Sequence, residues 1–100
     1  MTKVTLTARR DKSYVLKCTG HASGYPNVCA AISMMTQTLA GWIANGGGEG
    51  HADIRKNDAY AYINWRCGKH EMDLFDFLCI GFLQLEKSYP EALSVEIKQI

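Results

Sequence analysis

Gly20-His21-Ala22-Ser23-Gly24-Tyr25-Pro26-Asn27-Val28-Cys29-Ala30-Ala31-Ile32-Ser33 is the stretch on which the fold turns. Upstream of it, Tyr14, Leu16 and Cys18 alternate with Val15, Lys17 and Thr19, which predicts a strand. Gly20 relaxes the backbone as that strand ends. Downstream, Val28, Ile32, Met35, Leu39, Trp42 and Ile43 recur at helical intervals, with Asn27 as the predicted N-cap and Pro26 just outside it. Asn45-Gly46-Gly47-Gly48 stops this helix and opens a loose glycine-rich connection.

Working outward, Val4, Leu6 and Ala8 alternate with Lys3, Thr5, Thr7 and Arg9, and Asp11-Lys12-Ser13 supplies the turn of a first hairpin. Ala52–Arg55 and Ala59–Trp65 predict a second pair of strands, joined by Lys56-Asn57-Asp58. A second helix begins near His70 and runs to about Ser88, where Tyr89-Pro90 ends it. Leu93, Val95 and Ile97 alternate as a last strand. The order β-β-α-β-β-α-β predicts an α+β domain, with two helices on a mostly antiparallel sheet, over residues 1–100.

The second helix is apolar on more than one face. Leu74, Leu78, Phe82 and Leu85 make one stripe, and Phe77, Ile80 and Leu83 lie off it. In so small a domain the outer face needs a partner, and a homodimer is the simplest supplier. Eleven basic residues against ten acidic ones give no sign of a nucleic-acid or membrane partner. No apolar run is long or continuous enough for a signal peptide or a bilayer span. Four cysteines without a secretion signal read as reduced thiols in a cytoplasmic protein.

His21 stands at the end of a strand and Cys29 in the first turn of a helix. Unpaired N–H groups and the helix dipole favour a thiolate there, and the same amides suit an oxyanion formed when a carbonyl is attacked. A nearby imidazole can take and return protons. Ala30 and Ala31 keep the space around the sulfur small, and Ser33, four residues on, shares the Cys29 face. No metal or organic cofactor is needed for this chemistry.

Other readings of the same residues are weaker. Cys18-x-x-His21 and Cys67-x-x-His70 supply four zinc-type ligands, but Cys18 falls on the core face of its strand. Gly46-Gly47-Gly48-Glu49-Gly50 lacks the Gly-Lys-Ser/Thr of a phosphate loop. Tyr60, Tyr62 and Trp65 beside Arg55, Lys56 and Arg66 resemble a base-stacking face, yet carboxylates dilute the charge and cross-strand packing explains them better. His51 and His70 read as solvated surface histidines.

Cys18-Thr19-Gly20-His21-Ala22, Val28-Cys29-Ala30-Ala31-Ile32-Ser33, Thr38-Leu39 and the ending Leu85-Glu86-Lys87-Ser88-Tyr89-Pro90 together resemble the ribosomal-processing cysteine proteases called Prp. The resemblance implies a small dimeric α+β fold and a cytoplasmic endopeptidase. It implies Cys29 as nucleophile and His21 as base, with Gly20, Ala30 and Ser33 in supporting positions. It also implies a protein substrate: the short N-terminal extension of a large-subunit ribosomal protein, or a capsid-related protein for phage and prophage relatives. The loop 22–28 is several residues shorter than the family pattern and lacks its aspartate, which points to a divergent, phage- or prophage-borne member. The alternative is an inactive binding or assembly protein that keeps the fold.

Overall fold

Alternating residues build the strands, and the two helical stripes cover one side of them. The computed structural model describes residues 1–55, 57–67 and 71–100. Its elements are β1 (Thr2–Ala8), β2 (Tyr14–Thr19), α1 (Pro26–Ala44), β3 (Gly48–Arg55), β4 (Tyr60–Cys67), α2 (Glu71–Ser88) and β5 (Leu93–Gln99). This is the predicted α+β order. The strands form one sheet in the order β3-β4-β2-β1-β5. Three of its pairings are antiparallel, and β1 lies parallel to β5.

The first hairpin turns as its sequence demands. Lys12 takes a left-handed φ of 66°, and the Asp11 carboxylate accepts hydrogen bonds from the Ser13 amide and hydroxyl. Those bonds, with Arg66 and Arg9 nearby, hold the Asp11 carboxyl below its ordinary range.

Val4, Leu6, Leu16, Cys18, Ile63 and Trp65 all face one side of the sheet and are buried. Both helices pack there. Met35 of α1 meets α2 at Gly81, where its terminal methyl lies 2.7 Å from the place a Cβ would occupy. Val28 and Leu39 of α1 and Leu78 and Phe82 of α2 complete the core. Each such large apolar side chain stabilises the fold by about 1.5–3 kcal/mol on burial. Trp65 stacks on its cross-strand neighbour Tyr14 at 5.7 Å between ring centres, so it is core and not a base-stacking platform. Its ring nitrogen finds no hydrogen-bond partner among the described residues.

Three expectations need correction. Helix α1 starts at Pro26, with Tyr25 as N-cap and no side-chain cap bond, so Asn27 lies inside the helix. Proline suits this place because its missing N–H has no helical acceptor there and its φ is already helical. The glycine run is mostly not a loose loop, since β3 already begins at Gly48. These glycines make room for neighbours: a Cβ on Gly47 or Gly48 would strike the Trp42 ring, and one on Gly50 would strike the Trp65 backbone and the Asn64 carbonyl. In β5, Ile97 is 41% exposed despite its place in the alternation. The Cys67-x-x-His70 pair and the reading of His70 as a solvated histidine fall at or beyond the limit of the described residues.

Candidate active site

The end of β2, the start of α1 and the β3–β4 hairpin enclose a cleft of about 290 Å³. Gly20 and His21 line it from the end of β2, and Cys29, Ser33 and Gln37 line it from α1. Positions 29, 33 and 37 are successive i, i+4 steps, so one helical stripe forms that wall. Cys18 and Ile54 also line the cleft, from the helix-covered face of the sheet.

Gly20 has a φ of +90°, and a Cβ there would sit 2.6 Å from the Met1 carbonyl oxygen. Only glycine fits that conformation and that space without strain. The Gly20 amide donates to the Ala59 carbonyl, and its own carbonyl accepts the Thr2 hydroxyl. β1, the end of β2 and the start of β4 thereby meet around one residue, and the exposed His21 is delivered to the cleft immediately after it.

The loop to the helix is short and tied down. The Tyr25 amide donates to the Ala22 carbonyl at 2.9 Å. The Tyr25 hydroxyl donates to Glu91, and its ring meets Tyr89 edge-on at 6.2 Å. The hydrogen bond to Glu91, which the neutral phenol makes, raises the Tyr25 pKa. Cys29 is half-buried, and its Sγ points at the Ala22 carbonyl oxygen 3.8 Å away.

Cys29 is the fourth helical residue, deeper than the expected one or two positions past the cap. Its own N–H and that of Val28 both donate to the Tyr25 carbonyl. Pro26 has no N–H, so Asn27 carries the one amide of this first turn without a partner among the described residues. The row of free amides expected around the sulfur is therefore reduced to Asn27 and the helix dipole.

Gly20, His21, Cys29 and Ser33 all line this cleft. Ala30 does not: it is exposed, one step further round the helix, and takes no part in lining the cleft. Ala31 lines a separate groove between α1 and α2. His51 lies on β3 outside the cleft. Cys18 is buried, and desolvation pushes its thiol up to about 12, a poor start for a metal ligand.

Sequence reasoning missed Gln37, Arg55 and Tyr60, which also line the cleft. Gln37 was within reach of spacing alone, two helical steps beyond Cys29. Arg55 and Tyr60 depend on the β3–β4 register, which pairs them across the hairpin.

The family model of the cysteine protease Prp matches residues 1–94. The chain belongs to the Prp cysteine protease family. No curated protein matches the sequence. Among solved structures, the chain is similar to SMU.848 from Streptococcus mutans, with a TM-score of 0.75 and 21% identity over 100% of this chain and 96% of that one. It is also similar to the essential ribosomal processing protease Prp from S. aureus in complex with a substrate peptide, with a TM-score of 0.75 and 16% identity. The same S. aureus protein with a covalently linked product peptide gives 0.73 and 18%. Each S. aureus alignment covers 98% of this chain and all of the other. At these identities the structures share the Prp fold. Neither helix, among the described residues, is long and apolar enough to cross a membrane.

Proposed function

We propose that this Prp-family chain is an active cysteine endopeptidase of residues 1–100, in which Cys29 is the nucleophile and His21 the acid and base. The carrying observation is that one cleft is lined by both side chains, with Gly20 and Ser33 beside them. In the mechanism, His21 takes the Cys29 thiol proton as the sulfur bonds to a peptide carbonyl carbon, the carbonyl π pair moves to oxygen, and positive potential at the start of α1, including the Asn27 amide, steadies that oxyanion. The C–N bond breaks as His21 gives a proton to the leaving amine. His21 then takes a proton from water, the resulting hydroxide attacks the thioester, and the carboxylate product leaves while the thiol is restored.

The substrate is the short N-terminal extension of another protein, a ribosomal one by analogy with the S. aureus enzyme, whose complexes hold a substrate peptide and a covalently linked product peptide. The test incubates wild type and Cys29→Ala with two precursor sets, ribosomal and capsid-related, and reads new N-termini by mass spectrometry. Cleavage of the ribosomal set by wild type alone is expected. Cleavage of only the capsid set moves the substrate, and cleavage by Cys29→Ala ends the mechanism.

The enzyme acts as a cytoplasmic homodimer. Three described cysteines, Cys18, Cys29 and Cys79, are free thiols, which suits a reducing compartment. Phe77, Ile80 and Leu83 of α2 are 74%, 61% and 42% exposed, a surface that a second copy would cover. Ile80→Glu should convert the dimer to a monomer in sedimentation equilibrium. A wild type that sediments as a monomer at high concentration removes this part of the proposal.

A further inference from the structure

The ending Leu85–Pro90 carries part of the family resemblance, yet none of its residues lines the cleft. What it builds is a turn. Pro90 cannot continue α2, and the Ala92 amide donates back to the Tyr89 carbonyl at 3.0 Å. That turn sets the Tyr89 ring and the Glu91 carboxylate against Tyr25, the residue just before α1. The two tyrosine rings meet edge-on at 6.2 Å. The Tyr25 hydroxyl donates to Glu91 Oε2 at 3.1 Å, across 66 positions of sequence.

The backbone of Tyr25 bears on Cys29 twice. Its carbonyl accepts the Val28 amide at 3.1 Å and the Cys29 amide at 3.2 Å. Its own amide donates at 2.9 Å to the Ala22 carbonyl, the same oxygen that the Cys29 Sγ approaches at 3.8 Å. The usual fastenings of a helix start are missing here. Among the described residues α1 has no side-chain cap bond, and its first turn carries no acidic residue. Val28, fully buried, seats that turn in the core, and Tyr25 supplies the second point that stops it pivoting.

We infer that Tyr25 and Glu91 form a latch, braced by Tyr89, that holds the start of α1 so that the Cys29 sulfur stays turned into the cleft. All three are positioning residues, since none of them lines the cleft. The latch matters to cleavage only with Cys29 as the nucleophile proposed above, whereas its hold on the helix start rests on the backbone bonds alone. The Tyr25–Glu91 bond is open to water, so its loss slows the enzyme and does not abolish it.

The test measures kcat and KM on the peptide that wild type cuts fastest from a randomised synthetic library. The proteins are wild type, Tyr25→Phe, Glu91→Ala, Glu91→Gln and the double variant Tyr25→Phe/Glu91→Ala. Tyr25→Phe keeps the ring and removes only the hydroxyl, and Glu91→Gln keeps an oxygen acceptor. Tyr25→Phe and Glu91→Ala should each lower kcat about fivefold, the size of one hydrogen bond, with KM within about twofold of wild type. The double variant should lose no more than either single one, and Glu91→Gln should recover most of the rate. Wild-type kcat in Tyr25→Phe, losses confined to KM, or losses that multiply in the double variant overturn the latch. Failure of wild type to cut any peptide counts against the protease reading and not against the latch. In that event amide hydrogen exchange decides: faster exchange at Val28 and Cys29 in Tyr25→Phe and Glu91→Ala supports the latch, and unchanged exchange overturns it.

Discussion

Two thiols line one cleft, and they come to it from different surroundings. Cys18 comes from the sheet, 4% exposed, with its thiol pushed up to about 12 by desolvation. Cys29 comes from the first turns of α1, half-buried, beside an N-terminus whose dipole favours an anion. The difference lies in the element that presents each sulfur. A strand that alternates toward the core closes hydrocarbon over its cysteine, whereas a helix start brings partial positive charge to its own.

The comparison breaks most visibly under paired substitution. Cys29→Ala should lower peptide cleavage by at least about 10³-fold, as loss of a nucleophile does, with the fold intact by circular dichroism. Cys18→Ala should leave cleavage within a few-fold of wild type and cost about 1 kcal/mol of stability in urea titration, the scale of a small core deletion. Equal loss of activity in both variants would erase the distinction.

Alkaline unfolding sharpens the Cys18 side. The folded thiol pKa is raised from an ordinary 9.0 to about 12, so below pH 9 both states hold the proton and the folded state keeps its full advantage. Above pH 9 the unfolded chain releases its proton first, and stability falls by on the order of 3–4 kcal/mol as the pH approaches 12. Burial, and then Asp76, push Cys79 up to about 11, which adds loss in the same direction over a narrower window. In Cys18→Ala the decline above pH 9 should be clearly shallower. An unchanged slope would mean that Cys18 ionises as readily folded as unfolded.

Gly20→Ala probes the backbone beside the site. Its φ of +90° and the Met1 carbonyl 2.6 Å from the new Cβ should destabilise the domain by about 1–3 kcal/mol, and the shift passed to His21 should lower kcat more than it raises KM. Wild-type kcat in a destabilised variant would show that the backbone at Gly20 does not position His21.

Much of this was legible in the residues. The alternation of β1 and β2 and the stripes of α1 and α2 are local patterns, and each strand and helix they predicted is present. His21, Cys29 and Ser33 flank a strand-to-helix transition, so their meeting follows from chain continuity. The start of α1 was misplaced because Asn27 is a good cap by type, whereas the helix uses Pro26 at its first position and leaves Tyr25 to anchor on Tyr89 and Glu91, more than sixty residues away. The glycines at 47, 48 and 50 were read as breakers because their reason, the Trp42 ring for the first two and the neighbouring strand at Asn64 and Trp65 for the third, is tertiary. Arg55 and Tyr60 were read as sheet surface, which is right for their face. Their place at the cleft rim depends on where β3 ends beside α1.

Thiol labelling tests the central assignment directly. Wild type and His21→Ala are treated briefly with iodoacetamide near neutral pH in the folded state, and each cysteine is followed by peptide mass mapping. Alkylation of Cys29 well ahead of Cys18 and Cys79, and several-fold slower in His21→Ala, is the predicted result. Comparable slow labelling of all three, or a Cys29 rate indifferent to His21, would contradict the assignment of a nucleophile and its base to this cleft.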